Sequence, residues 1–198
     1  MEHVKHLSKD KTLRKILLKQ EPFVLKKRKH VYIQLCGSII SQQLSTKVAK
    51  VIYERFLHLF QGKNPTCQDI LAVSVETLRS IGLSNAKAGY LHNVCRFFID
   101  HNITDSALKK LSNDEIIELL TQIKGVGKWT VEMILMFTLG REDVLALDDL
   151  GIQQAITKLY ELDTLNKKDL RQQMQTISIK WSPYRTYACR YLWGWKDA

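Results

Sequence analysis

The sequence lacks any close grouping of the residue types that bind metals. Its four cysteines are widely spaced, with no CxxC pair and no cluster of the kind that ligates zinc or an iron–sulfur centre. The six histidines form neither an HExxH motif nor another close set of ligands. We therefore expect reduced thiols, no iron–sulfur cluster and no metal-dependent chemistry.

Long apolar runs are also missing. The longest early run, Ile16–Leu18, is far shorter than the core of a signal peptide or a membrane span. This shortage argues against a membrane protein. It predicts an intracellular one, in the cytoplasm or nucleoid of a bacterium or in the nucleus of a eukaryote.

Acidic residues are scarce relative to basic ones. The chain has 30 Lys and Arg against 20 Asp and Glu, which gives a net charge of +10. Ten of the basic residues and three of the acidic ones fall within residues 1–30, so this segment supplies +7. An excess of basic side chains favours a polyanionic partner such as DNA, because binding releases the counterions condensed on the phosphates. A basic surface that is only solvated is the alternative.

Strand-like alternation is absent as well. No stretch alternates convincingly between apolar and polar residues, whereas apolar residues between 31 and 61 recur at spacings of three and four. The sequence therefore predicts an all-α fold. A break in this helical pattern falls at Ser45-Thr46, beside Gln42 and Gln43. Their amides could reach a DNA minor groove, although surface glutamines without a role are the default interpretation.

A glycine turn is the most informative feature that is present. Ser112 to Glu115 fits an S-x-x-E capping box, and Gly125-Val126-Gly127 follows the helix that this box begins. The next helix, from Lys128 onward, would direct its free amides and positive dipole end at a phosphate, with Lys128 adding charge and the small Thr130 close by. A glycine corner needed only for packing is the alternative.

Five motifs, in this order along most of the chain, resemble those of the helix-hairpin-helix DNA glycosylases, and within them the alkylpurine (3-methyladenine type II) enzymes. The motifs are S-I-I-S-Q-Q-L-S (Ser38 to Ser45), G-L-S-x-x-K-A-x-Y-L (Gly82 to Leu91), L-x-x-I-K-G-V-G-K-W-T (Leu120 to Thr130), D-D-L-G-I (Asp148 to Ile152) and W-x-P-x-R-x-x-A-x-x-x-L-W (Trp181 to Trp193).

The resemblance implies a role for several residues. Asp149 falls on the catalytic aspartate, with Asp148 as its expected helper or cap. Trp129 falls where strand-cutting members have a Schiff-base lysine, which implies a monofunctional enzyme, and it would stack on an electron-poor base. Trp193 matches a pocket aromatic residue, and Gln43 takes the place of the wedge that fills the gap left by the extruded nucleotide.

The resemblance also implies how the hairpin is used. The amides of Gly125 and Gly127 would face DNA phosphate, and the carbonyls of Thr121, Ile123 and Val126 would hold a structural Na⁺ or K⁺. No other cofactor is expected. We expect neither the iron–sulfur loop nor the extra N-terminal β domain of larger relatives. A glutamine wedge in place of a bulky apolar one could alter how the duplex is held open, so the substrate range of the relatives is not expected to apply in full.

We therefore expect one glycosylase unit over residues 1–198, with two helical lobes flanking a DNA-binding cleft. Lobe one would span approximately 1–30 and 150–198, and lobe two approximately 31–149. The protein would act as a monomer on double-stranded DNA with damaged bases, releasing alkylated purines. Three alternatives remain: a non-catalytic DNA-binding module, a bifunctional glycosylase/lyase, and a purely capping role for the Asp148-Asp149 pair.

Overall fold

Helices make up all of the regular structure in the part of the chain that the structure describes. The computed structural model describes residues 1–163 and 166–196, and within these ranges it contains no strand, which confirms the predicted all-α class. None of the helices in these ranges has both the length and the apolar character that a membrane span requires.

The α-helices of the described residues follow one another with short connections. They are α1 (Glu2–Leu7), α2 (Lys11–Leu17), α3 (Val31–Ser41), α4 (Thr46–His58), α5 (Cys67–Ala72), α6 (Val75–Ser80), α7 (Asn85–Asp100), α8 (Asp105–Lys110), α9 (Asn113–Leu120), α10 (Lys128–Phe137), α11 (Leu150–Tyr160), α12 (Lys167–Ser178) and α13 (Arg185–Lys196). A 3₁₀ turn, Ile179–Trp181, precedes α13.

The chain forms two compact units. The first, here called the terminal unit, comprises Met1–Lys27 and Leu135–Ala198, and the second, the central unit, comprises Arg28–Ile134. The boundaries therefore fall after residues 27 and 134, and α10 begins in the central unit and ends in the terminal one.

Helix α7 is the core of the central unit. Ser84 caps its first turn, and its buried residues, which include Leu91, Val94 and Phe98, recur at the spacing of one helical face. Helices α3, α5 and α6 pack against α7. The long, centrally placed α7 can therefore hold several loops of this unit in fixed positions.

Helix α13 has the same role in the terminal unit. It packs against α2 and α11, and it buries Tyr187, Tyr191 and Leu192. Near its start, the fully buried Trp181 donates from Nε1 to Asp10 Oδ2 at 3.0 Å, which satisfies the polar atom of an otherwise apolar side chain. The two ends of the sequence are thus tied into one core.

The local helix signals in the sequence have mixed outcomes. Ser45 caps α4 after the predicted break, and Ser112 with Glu115 forms the predicted capping box of α9. Ser182 followed by Pro183 is a sequence typical of a helix start, yet α13 begins only at Arg185. Ser182 instead donates from Oγ to Asp143 Oδ2 at 2.9 Å.

Candidate functional site

The glycine turn lies in the central unit between α9 and α10, as the sequence predicts. Gly125 has a φ of +102°, a conformation that L side chains rarely adopt. A Cβ atom at this position would lie 2.3 Å from Cγ of Tyr90, which is a steric clash. The fold itself therefore requires glycine at position 125.

Gly127 differs from Gly125 in this respect. A Cβ atom added to Gly127 would meet no atom of the described residues within 4 Å. Packing within the protein therefore does not explain the glycine. Gly127 has no side chain with which to cap α10, so the amides at the start of this helix are suited to an external anion.

The first residues of α10 differ in their access to solvent. The side chain of Lys128 is 49% exposed, and its Nζ lies 3.9 Å from the carboxylate of the buried Glu132. Trp129 is 42% exposed, which is unusual for a large aromatic residue. Thr130 is only 3% exposed, so its hydroxyl does not lie on the surface that DNA would contact.

The turn after α3 faces the first turns of α10. Gln43 has a φ of 56°, in the left-handed region that non-glycine residues seldom occupy. A cavity of about 290 Å³ is lined by Ser38, Ser41, Gln42, Gln43, Trp129 and Met133. The structure thus brings the two glutamines together with Trp129, although they come from separate motifs of the sequence.

Three side chains of α7 that the sequence analysis did not assign contact these loops. Lys87 donates from Nζ to carbonyls at the end of α3, Tyr90 packs on Gly125, and Asn93 donates from Nδ2 to the Lys124 carbonyl at 3.3 Å. They recur every third residue. The sequence could have indicated two of them, because Lys87 and Tyr90 are fixed positions of the G-L-S-x-x-K-A-x-Y-L motif.

The carbonyls expected to hold a monovalent cation lie at the end of α9 and in the turn. Thr121 is the C-cap of α9, where carbonyls have no partner within the helix and the helix dipole is negative. The Ile123 carbonyl accepts a hydrogen bond from the Val126 amide at 2.9 Å, which leaves it a second lone pair. Carbonyl oxygens are the type of ligand that a hard cation such as Na⁺ or K⁺ takes, and a bound cation here stays a prediction.

Asp149 lies in the terminal unit and has two hydrogen-bond donors on one oxygen. It is the N-cap of α11, and its Oδ1 accepts from the Ile152 amide at 2.8 Å. The same oxygen accepts from Nε1 of Trp193 at 2.9 Å. The backbone and an indole thus fix the direction of the carboxylate, and Asp149 is both a cap and an oriented acid.

The prediction that Asp148 caps α11 is wrong, because Asp149 is the N-cap of this helix, whereas its role as a helper of Asp149 stays a prediction. The Asp148 carboxylate instead pairs with the guanidinium of Arg171 from α12. Because Asp149 is the residue that caps α11, the two neighbouring carboxylates have separate partners and no shared role in the helix start.

Gly151 explains how the indole reaches the carboxylate. A Cβ atom at this position would lie 3.0 Å from Asp149 Oδ1 and 3.2 Å from Trp193 Nε1. Such distances are tighter than ordinary van der Waals contact, so a side chain at position 151 would displace one of the two groups. The glycine of the D-D-L-G-I motif therefore leaves room for the hydrogen bond.

The loop that leads to Asp149 is held by the start of α13. Arg185 donates from Nε and Nη2 to the two oxygens of Asp143, at 2.6 and 2.8 Å. Thr186, fully buried, donates from Oγ1 to the Arg141 carbonyl and accepts from the Val144 amide. The sequence analysis did not assign these residues, although Arg185 is the arginine of the W-x-P-x-R motif.

Burial and hydrogen bonding act in opposite directions on Asp143. Burial raises the pKa of this carboxyl, but the hydrogen bonds from Arg185 and Ser182 outweigh it, so the pKa lies below its usual range. Asp143 is therefore a charged anchor for the loop rather than a proton donor at neutral pH.

Comparisons with known proteins identify the family of the chain. Residues 36–179 match the model of the HhH-GPD superfamily base excision DNA repair protein. DNA-3-methyladenine glycosylase 1 of Schizosaccharomyces pombe is 37% identical over 185 residues, which cover 92% of this chain and 80% of the relative.

Two solved structures are similar over the whole chain. The crystal structure of a DNA-3-methyladenine glycosidase from Bacillus halodurans has a TM-score of 0.88 and 34% identity, covering 100% of this chain and 90% of that one. A 3-methyladenine DNA glycosylase from Schizosaccharomyces pombe in complex with abasic DNA has a TM-score of 0.85 and 34% identity, covering 100% and 98%. The chain therefore belongs to the HhH-GPD superfamily of base excision DNA repair proteins, as the resemblance of its motifs predicted.

Proposed function

We propose that this protein is a monofunctional DNA glycosylase that releases alkylated purines, such as 3-methyladenine and 7-methylguanine, and leaves an abasic site. The observation that carries the proposal is the oriented carboxylate of Asp149, whose Oδ1 accepts from the Ile152 amide and the Trp193 indole. The names of the related glycosylases support the substrate class.

The hairpin supplies the grip on DNA. The amides of Gly125 and Gly127 and the exposed ammonium of Lys128 contact phosphate oxygens, with the helix dipole of α10 adding to the attraction. Contacts of this kind position the protein without reading base sequence. They suit an enzyme that must search any duplex for rare lesions.

Base release requires the lesion to leave the stack. Extruding a nucleotide costs roughly a few kcal/mol of stacking and pairing energy. The amide of Gln43, at the strained turn after α3, fills the space that the nucleotide leaves, and Gln42 lies beside it. The wedge and the phosphate contacts together offset the cost of flipping.

Asp149 then acts on the sugar of the flipped nucleotide. As the bond between C1′ and the base nitrogen breaks, its electron pair leaves with the base and positive charge develops on the sugar. A fixed carboxylate stabilises this charge electrostatically and orients the water whose oxygen bonds to C1′, and the proton that this water loses passes to the solvent. A purine alkylated at N3 or N7 is already cationic, so it departs as a neutral base without a general acid.

Trp129 accounts for selectivity and for the absence of strand cleavage. Its exposed indole, which lines the cavity beside Gln43, attracts an electron-poor base by stacking and cation–π energies of roughly 0.5–2 kcal/mol. A tryptophan at this position has no amine, so it cannot form the Schiff base that strand cleavage requires.

Two further features complete the proposal. The carbonyls of Thr121, Ile123 and Val126 would hold a Na⁺ or K⁺ ion that stabilises the turn when DNA is bound. The protein acts as a monomer on duplex DNA, in the nucleoid of a bacterium or the nucleus of a eukaryote.

Incubation with methylated DNA tests the function directly. The protein is expected to release free 3-methyladenine and 7-methylguanine, detected by chromatography, and to leave alkali-labile abasic sites. If the wild-type protein binds the DNA and releases no base, it is a binding module and the proposal fails. Borohydride should trap no protein–DNA adduct, whereas a trapped adduct would identify a glycosylase/lyase.

A further inference from the structure

The turn that bears the wedge is held in a strained conformation. We define the wedge turn as Gln42–Leu44, between α3 and the cap of α4. Gln43, at its centre, has a φ of 56°, and such a conformation in a non-glycine residue persists only where its surroundings enforce it. The contacts that hold Gln43 in this conformation therefore determine how its side chain is presented to DNA.

Lys87 makes two hydrogen bonds that hold the wedge turn. Its Nζ donates to the Ile40 carbonyl at 3.0 Å and to the Gln42 carbonyl at 2.7 Å. Carbonyls at a helix C-terminus have no partner within the helix, and a lysine ammonium both satisfies them and complements the dipole. Lys87 is partly buried, and this burial lowers the pKa of its ammonium.

The wedge turn is also connected to the hairpin. The Gln42 side chain donates from Nε2 to the Gly125 carbonyl at 3.4 Å. Tyr90, one turn after Lys87 on α7, packs against the same glycine. One face of α7 thus supports both the wedge turn and the phosphate-binding turn, and Lys87 is its charged contact with the wedge.

We propose that Lys87 is a positioning residue for base flipping: by bonding the Ile40 and Gln42 carbonyls it holds Gln43 in the conformation that fills the gap in the duplex. The inference rests on the proposed glycosylase function and assigns to Lys87 no contact with the lesion. Lys87 affects catalysis only by positioning Gln43.

This role predicts an effect that depends on how well the lesion is stacked. The wedge matters most in a fully paired duplex, where extrusion is costly, and less at a mismatch, where the base is already partly unstacked. A general loss of folding or of charge would slow base release from both substrates equally.

The test compares Lys87→Met with Lys63→Met, which removes the same charge from an exposed loop of the same unit. Single-turnover release of 7-methylguanine is measured from a fully paired duplex and from one with the lesion in a mismatch. Lys87→Met should slow release about 10-fold in the paired duplex and about 2-fold at the mismatch, because only the extrusion step is impaired. Lys63→Met should match the wild type on both.

A double-mutant cycle with Gln43→Ala tests whether the two residues act together. If Lys87 acts through the wedge, adding Lys87→Met to Gln43→Ala should slow base release little further. If Lys87→Met does not fold, Lys87→Gln, which loses the charge but keeps a donor, should show the same preferential slowing on the paired duplex to a smaller extent.

Three outcomes would overturn the inference: an effect no larger than that of Lys63→Met, an equal loss on both duplexes, or full additivity with Gln43→Ala. A wild-type protein that releases no base from either duplex would instead refute the glycosylase function itself.

Discussion

The starts of α10 and α11 are two helix N-termini that use their amides differently. The start of α11 is capped by Asp149, so the protein's own carboxylate occupies the amide end of the helix. The residue before α10 is Gly127, which has no side chain to place there. The same backbone geometry therefore fixes an internal anion in one case and is suited to an external phosphate in the other.

This difference explains why capping and catalysis are compatible at Asp149. A cap is usually taken as a structural role, yet the hydrogen bond from Ile152 also fixes the direction of the carboxylate. The indole of Trp193 adds a second donor to the same oxygen. An acid held in this way needs little reorganisation as charge develops on the sugar.

Removing the charge of Asp149 while keeping the cap of α11 should reduce the rate of base release more than any other change considered below. Asparagine caps helices about as well as aspartate, so Asp149→Asn should retain the melting temperature and the affinity for abasic-site DNA. Base release should fall by about 100-fold or more, because the electrostatic stabilisation is lost. Single-turnover kinetics and fluorescence anisotropy measure the two properties. A parallel loss of binding would indicate a folding role instead.

Removing the indole donor should have the next largest effect. Trp193→Phe keeps an aromatic ring and loses the N–H, so kcat should fall by about 10-fold, the equivalent of one hydrogen bond to a charged group. The loss should be the same for 3-methyladenine and 7-methylguanine, since Asp149 acts on the sugar that both share.

The matched control is Trp195→Phe, the same change on the same helix, where the ring lies under Lys158. It should leave kcat unchanged. An unequal loss between the two lesions in Trp193→Phe would show that the ring contacts the base rather than acting through Asp149.

Adding a methyl group at the start of α10 should weaken DNA binding without unfolding the protein. Gly127→Ala meets no described atom within 4 Å, so its melting temperature should be close to that of the wild type. Its affinity for abasic-site DNA should fall by about 5-fold to 10-fold, as expected when one hydrogen bond to phosphate is weakened rather than lost.

Gly125→Ala provides the opposite pattern and serves as the control. Its positive φ and the clash with Tyr90 should lower the free energy of unfolding by about 1–3 kcal/mol, measured by chemical denaturation. If Gly127→Ala were the less stable of the two variants, the distinction between a packing glycine and a phosphate-binding glycine would be wrong.

Neutralising Lys128 should have the smallest effect. Its half-exposed ammonium is expected to neutralise one phosphate, so Lys128→Met should reduce the slope of log affinity against log salt by about 0.9. Binding titrations at several salt concentrations measure this slope. An unchanged slope would place Lys128 outside the DNA contact.

Part of the site was accessible from residue type and spacing. The glycine turn and the paired glutamines stand in short motifs, where local chemistry limits what the residues can do, whereas the catalytic role of Asp149 was implied only by the resemblance of its motif to the glycosylases. The exposed Trp129 could not be distinguished from a core residue in the sequence, because apolar residues at helical spacing are ordinarily buried. Likewise, Asp148 was expected as the helper or cap although Asp149 caps α11, because both aspartates are good caps and the sequence does not distinguish them.

The sequence by itself determined the helical class, the helix starts at Ser45 and Ser112 and the presence of a glycine turn, because these depend on neighbours within a few residues. Only the tertiary structure decided which donors meet which carbonyls and carboxylates. Trp193 is 44 residues from Asp149, and Lys87 is 45 residues from Gln42. Contacts at such separations depend on how whole helices pack, and Gly151 leaves room for one of them, because a Cβ atom there would lie within 3.2 Å of both Asp149 and Trp193.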